Sequence, residues 1–289
     1  MKKYLIILLL ITIFSCKKED SKNLDNTLEN IDNYKSIYGN WVGNFTIDKT
    51  RNENQNFVYN NKINLLIKKI SNNKVTAQSI VSGNKRALTG IMKDENGILK
   101  FELHEPGNDK NDGKFYFMIS GIELKGKWYA NDKNASVISR KYKLTKKEFK
   151  YNPKLMLPVD GEYIDYFSTK QDSITNREDP EREETEYNET YRFASDVITK
   201  INASTTVLNE EDVKNLKKLE LEILRNTIFA RHGYTFKKKS YRQFFDPIDW
   251  YIPVSDDVTK ELTNIEKLNI SLLERFEKYA TDNYDTFGR

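Results

Sequence analysis

The sequence predicts an α+β protein, with an antiparallel eight-stranded β-barrel first and a small α-helical unit after it. Two patterns carry this prediction. Between residues 38 and 144 apolar residues alternate with polar ones, the period of half-buried strands, and turn residues recur at short intervals. Beyond residue 208 the apolar residues recur three, four and seven apart, which is the period of one helix face. A third feature, a short apolar run ending at the only cysteine, gives the chain an address rather than a fold.

That address comes first in the chain. Lys2 and Lys3 precede an apolar run, residues 4–14, and Ser15-Cys16 follows. A basic start and an eleven-residue apolar core fit a secretory signal and are too short to span a bilayer. The stretch Ile13-Phe14-Ser15-Cys16 resembles a lipobox, which implies cleavage before Cys16 and lipidation of its thiol and new amino group. Residues 1–15 are then a lipoprotein signal peptide and 16–36 a lipidated tether. The cluster Lys17-Lys18-Glu19-Asp20 resembles a surface-export signal of some Gram-negative lipoproteins, with a solvated tether as the plainer reading. The expected location is the bacterial outer membrane, lipid-anchored, on its periplasmic or outer side. With no second cysteine there is no disulfide framework. Removing the signal takes the formal charge from +4 to +2, which gives no reason to expect nucleic acid.

The barrel is expected over residues 37–145. Its strands are marked by Trp41, Phe45 and Ile47, then by Ile63, Leu65 and Ile67, and then by Val75, Ala77 and Val81. Further strands follow at 87–92, 99–103, 115–119, 122–128 and 138–144. Turn residues at 71–73, 83–84, 94–97, 106–113, 120–121 and 131–134 separate them, so sequence neighbours should pair antiparallel. Eight such strands close most economically into a barrel, which leaves no edge exposed. The opening Gly39-x-Trp41 resembles the G-x-W signature of lipocalin-like barrels. That resemblance implies an Arg from the last strand packed over the Trp, and Arg140 is the residue at that place. The lumen is expected to be filled by its own side chains; the other reading is an apolar ligand among Phe45, Phe101, Phe117 and Trp128.

Residues 146–206 read as a connector. Its first part, 154–166, holds prolines and aromatics and can pack as an extended arm. The acidic run 177–189 reads as a solvated loop or spacer, and 191–201 as a short helix.

The helical unit, 207–289, centres on Arg225-Asn-Thr-Ile-Phe-Ala-Arg-His-Gly-Tyr234. Asn209 is a natural N-cap for a long helix whose stripe includes Val213, Leu216, Leu219, Ile223, Ile228 and Ala230. Gly233 can take the left-handed conformation that ends it, bringing Phe229 against Tyr234, with Arg231 and His232 in the last turn. A short helix at 240–245, a loop containing Asp246, Asp249, Trp250 and Tyr251, and a second amphipathic helix should follow. Leu262, Ile265, Leu268, Leu272, Phe276 and Tyr279 mark one face of that last helix. Asn226 lies on the apolar stripe, and a buried amide or charge persists only when paired. One of Arg225 and Arg231 should therefore bond Asp246, Asp249 or Glu266, and Asn226 should satisfy backbone beyond Gly233, beneath Trp250 and Tyr251.

The run Arg225–Tyr234, the later Phe-Phe and Trp-Tyr pairs and the final helix resemble the YARHG domain, with Phe229 in place of its first Tyr. The resemblance spans about residues 208–279. It implies a small extracytoplasmic helical domain of bacterial proteins with no established reaction.

No catalytic motif stands out. His104 and His232 fall in different predicted units, and neither a P-loop, a nucleophile elbow nor a zinc spacing is present. The leading expectation is a non-enzymatic, lipid-anchored envelope protein whose two units bind or interact, without a cofactor. A monomer is expected, attached to the membrane through Cys16, with an envelope polymer or protein as a possible partner and no nucleic acid. A structural spacer is the first alternative, and an enzyme using Arg231, His232 and Asp249 is the second.

Overall fold

Half-buried strands joined by tight turns should hairpin onto their neighbours in sequence, and they do. The computed structural model describes residues 33–51, 60–107, 112–176 and 184–282, and of these the side chains at 169–189 are left undescribed. Cys16, the signal segment and most of the tether lie outside the described residues. Strands β1 (Gly39–Thr50), β2 (Asn60–Ser71), β3 (Lys74–Val81) and β4 (Asn84–Glu95) pair in order. They continue through β5 (Ile98–His104), β6 (Gly113–Ser120), β7 (Glu123–Ala130) and β8 (Val137–Lys147). All neighbours are antiparallel, and β8 returns to β1 to close the barrel. Asn72-Asn73, Ser82-Gly83 and Asn96-Gly97 all have positive φ, the two-residue turns whose twist suits such hairpins.

Inward positions hold the apolar alternation: Trp41 and Phe45 on β1, Ile63, Leu65 and Ile67 on β2, Leu124 on β7, Leu144 on β8. Strand β2 is buried on its outer face as well, because the helical unit covers Lys62 and Asn64. One end of the barrel, where β1 starts, is packed shut; there the Trp41 Nε1–H donates to the Ile37 carbonyl at 2.9 Å.

Arg140 does not meet Trp41. Trp41 pairs across the β1–β8 seam with Lys146, whereas Arg140 pairs with Ile47, six positions along. At about 3.3 Å per residue that places them near opposite ends of the seam. Arg140 instead stands 5.3 Å from the Phe45 ring centroid and donates from Nη1 to the Phe45 carbonyl at 3.0 Å. The lipocalin-type contact is therefore absent, although the eight-stranded closure is present.

The connector is more ordered than its composition suggests. Strands β9 (Ile164–Asn176) and β10 (Glu184–Phe193) form an antiparallel pair, so part of the expected acidic loop is strand, and 177–183 lies outside the described residues. In place of a helix at 191–201 there is one 3-10 turn, Asp196–Thr199. Arg192 fixes this region by reaching Asp165 at 2.7 Å, Glu222 at 3.2 Å and Asp282 at 3.3 Å.

Four helices follow: α1 (Glu210–Val213), α2 (Lys218–Arg231), α3 (Lys239–Phe245) and α4 (Asn264–Glu277). The expected long helix is broken. Asn209 caps only the single turn of α1, and α2 restarts at Lys218 with a Glu220 side chain accepting from Lys217 N at 2.8 Å. The last helix keeps part of its expected face inward, with Leu262 just before it buried and Leu272 and Phe276 packed on the core, but adds a polar stretch to it. Glu266, Asn269 and Leu273 are its buried residues, while Leu268 is 61% exposed and Tyr279, beyond its end, 83%. Burying that polar face is possible because each group is bonded; Asn269 Nδ2, for example, donates to the Ala203 and Thr206 carbonyls at 2.8 and 2.7 Å.

Barrel and helices share one compact unit, residues 36–289. Lys62 Nζ donates to the carbonyls of Ile248 and Tyr251, Asn64 Nδ2 to that of Pro253 at 2.9 Å, and Arg242 Nη1 to Asn61 Oδ1 and Ser82 Oγ, both at 2.6 Å. Among the described residues no helix is long and apolar enough to cross a membrane.

Candidate functional site

The helix stop is built as its residues dictate. Gly233 has φ 72°, Tyr234 N donates to the Phe229 carbonyl at 3.0 Å, Gly233 N to that of Ala230 at 2.9 Å, and the Phe229 and Tyr234 rings lie 5.9 Å apart. A Cβ at Gly233 would stand 2.5 Å from Val254 Cγ2, so glycine is required for space as well as for φ. The freed Gly233 carbonyl then takes Val254 N at 2.8 Å and Ser255 N at 3.0 Å, tying the later loop to the stop.

Glu266 is the hub of this region. Its carboxylate accepts from His232 Nε2 at 2.8 Å, Thr263 N at 2.9 Å and Tyr151 Oη at 3.0 Å, and Tyr151 stacks on His232 with ring centroids 4.2 Å apart. Burial pushes the Glu266 carboxyl upward, but the bonds from His232, Thr263 and Ser204 outweigh it and hold it down to about 2. An ionised Glu266 accepts only, so the proton between the pair sits on His232 Nε2. The Tyr151 hydroxyl is pushed up to about 12 by burial and the adjacent Glu266, so it stays a donor.

Neither arginine takes the carboxylates expected for it. Arg231, 2% exposed, donates to the Leu155 carbonyl at 2.7 Å and to Ser204 Oγ at 2.9 Å. Ser204 in turn bonds Glu266, so the hydrogen-bond path from Arg231 to that carboxylate runs through it. Burial lowers its guanidinium to about 10, partly opposed by Glu266 and Tyr151. Arg225 grips Glu277 with two bonds of 2.6 and 2.9 Å. Asn226 bonds back to the Glu222 carbonyl at 2.7 Å within its own helix rather than to the loop. Asp246 Oδ2 accepts from Lys62 N at 3.2 Å, and Asp249, its side chain 98% exposed, pairs with Lys147 at 2.6 Å. Trp250 Nε1 donates to the Met156 carbonyl at 2.9 Å, and Tyr251 Oη to that of Tyr234 at 2.6 Å. Arg231 and Asp249 border one cleft of about 640 Å³, together with Trp250, but His232 does not line it.

Tyr151 and Ser204, which complete the hub, come from the connector. Tyr151 lies just ahead of the arm expected at 154–166, and nothing in the sequence marked either it or Ser204.

The second concavity is the open end of the barrel. Its mouth is a cavity of about 700 Å³ whose floor is aromatic. Phe45 lies 6.1 Å from both Phe115 and Trp128 and 5.8 Å from Tyr142. Above this floor stand Arg140, Arg86, Glu105, Asn61 and Ser79. Glu105 is already engaged, accepting from Gly113 N at 2.7 Å and Trp128 Nε1 at 3.2 Å; burial outweighs these bonds and raises its carboxyl above the usual range. Below the floor the lumen is filled, with Phe101 and Phe117 stacked at 4.5 Å. The barrel is thus part core and part vessel, and the expected full lumen holds only for its closed half. Phe101 and Phe117 do not line the mouth. No cluster of His, Cys, Asp and Glu that could hold a metal ion occurs among the described residues.

Residues 195–278 match the model of the YARHG domain, so the chain carries that domain behind its barrel. No curated protein and no solved structure matches the chain.

Proposed function

We propose that this chain is a lipid-anchored cell-envelope protein that binds a small ligand at the open mouth of its barrel, with the YARHG domain as a rigid buttress. The observation that carries the reading is the 700 Å³ mouth, large enough for a small molecule, which sets an aromatic patch of Phe45, Phe115 and Trp128 within a mostly polar lining. The buttress role is supported by Lys62, Asn64 and Arg242, which bind the domain to β2 and the β3–β4 turn. The anchor is Cys16 in the outer membrane, facing the periplasm or the cell surface.

Two other readings remain in view. A spacer without a ligand is favoured by the inward use of Arg231 and His232, whose bonds are spent inside the domain. An enzyme would need Arg231, His232 and Asp249 together, and Asp249 is drawn off to Lys147.

Immobilised wild-type protein incubated with a small-molecule extract of the envelope should retain compounds that Ser79→Phe, which fills the mouth, does not. Equal retention by both would move the site elsewhere, and retention by neither would leave the spacer. Cys16→Ala should leave the membrane fraction; unchanged association would assign the anchor to another element.

A further inference from the structure

The mouth holds two guanidinium groups, and their situations differ. Arg86 has Asp112 at 3.5 Å. Arg140 has no carboxylate within ion-pair distance among the described residues; its one protein hydrogen bond is Nη1 to the Phe45 carbonyl at 3.0 Å. Of the two carboxylates in the lining, Glu105 accepts from Gly113 and Trp128, and Asp132 accepts from Asn134 N at 2.8 Å. Half-buried cations are normally paired, because an uncompensated one pays for desolvation without a Coulombic return. Burial, and after it the charge of Arg242, presses the Arg140 guanidinium down to about 10, so it remains a cation at neutral pH and the protein around it supplies no compensating charge.

Resting on the reading of the mouth as the binding site, we propose that it selects small organic anions, a carboxylate on an apolar or aromatic body, and that Arg140 holds the carboxylate. The geometry sorts the two ends of such a ligand. The Arg140 guanidinium stands over the Phe45 ring, 5.3 Å from its centroid, and Phe115 and Trp128 continue the apolar surface beside that ring. A carboxylate on the unused N–H groups of Arg140 therefore directs its body onto this floor. A guanidinium offers a planar fork that suits two carboxylate oxygens at once. An inorganic anion could use the fork but would leave the aromatic floor wet, and a neutral apolar ligand would cover the floor while leaving Arg140 unpaired. Two other buried cations, Lys62 on β2 and Arg242 on α3, donate to protein acceptors between barrel and helices.

The test is calorimetric titration of the full chain carrying Cys16→Ala, so that no covalent acyl chain competes, with 3-phenylpropionate and with its neutral counterpart 3-phenylpropan-1-ol. The carboxylate should bind at least about tenfold more tightly, the ratio expected of one charge-assisted hydrogen-bonded contact. Arg140→Gln should bring the ratio close to one, and Arg140→Lys should keep part of it. Equal binding of acid and alcohol by the parent overturns the anion assignment but leaves the mouth a binding site. An unchanged preference in folded Arg140→Gln assigns the anion to another residue and likewise overturns the proposal. Saturable binding of neither compound counts against both this inference and the reading it rests on. Should Arg140→Gln fail to fold, the parent's acid-to-alcohol ratio still decides.

Discussion

His232 Nε2 lies 2.8 Å from Glu266 Oε2, and both side chains are shut away from solvent. The pair joins the C-terminal end of α2 to the N-terminal cap of α4, because the same Oε2 accepts from Thr263 N at 2.9 Å. Glu266 therefore acts at once as helix cap, imidazole partner and acceptor for Tyr151 from the connector.

The position of Glu266 makes the protein sensitive to acid in a defined window. Its folded carboxyl is held at about 2 against an ordinary 4.5, so the stability it contributes is fully present above 4.5 and lost as the pH falls through about 2. The shift corresponds to on the order of 3 kcal/mol. In urea unfolding the wild type should exceed Glu266→Gln by about that amount at neutral pH, and the gap should close between pH 5 and pH 2. Parallel pH curves for the two proteins would show that the carboxylate is not held in this way.

Lys62 makes the opposite kind of prediction. Burial against the helical unit lowers its ammonium from 10.5 to about 8, partly offset by Asp246. Between these values the unfolded chain binds a proton that the folded chain does not, so this group raises stability as the pH climbs from 8 to 10.5. Relative to Lys62→Met, the wild type should gain roughly 1–3 kcal/mol between pH 7 and pH 10. A difference that stays constant over that range would place Lys62 in contact with water.

Gly233→Ala should be strongly destabilising. A left-handed φ costs a non-glycine residue roughly 1–2 kcal/mol, and here the new methyl also meets Val254 and Phe149. Thermal unfolding should show a lowered midpoint, and a variant as stable as the wild type would mean that the loop at 252–254 moves aside freely.

The sequence disclosed most where structure is local. Each barrel strand announces itself by alternation, and each tight turn by residues such as Asn72, Gly83 or Gly97 that accept positive φ. The glycine stop of α2 was legible for the same reason. What was hidden depends on partners distant in the chain. Arg140 was aligned with Trp41 because position along a strand says nothing of register, and β8 is offset against β1 with irregularities at Ile47/Lys49 and Lys49/Thr50. Opposite charges suggested Arg231 with Glu266, but His232 stands closer and Ser204, supplied by the connector, satisfies the arginine. Leu262, just before α4, and Leu272 and Phe276 on it were read correctly as inward. Glu266 and Asn269 were missed as inner residues, since they look like solvent residues until their buried partners are known. The hairpin β9–β10 was missed because its charged second strand lacks the apolar alternation that marks the barrel.

The placement of the ligand site has its most direct test in the three tryptophans, which stand in three different places. Trp128 forms part of the mouth, Trp250 borders the cleft beside Arg231, and Trp41 is packed in the closed end of the barrel. With 5-fluorotryptophan incorporated, fluorine NMR on addition of the envelope small-molecule extract should shift the Trp128 resonance and leave those of Trp41 and Trp250 in place. A shift confined to Trp250, or no shift at any of the three, would contradict the mouth as the binding site.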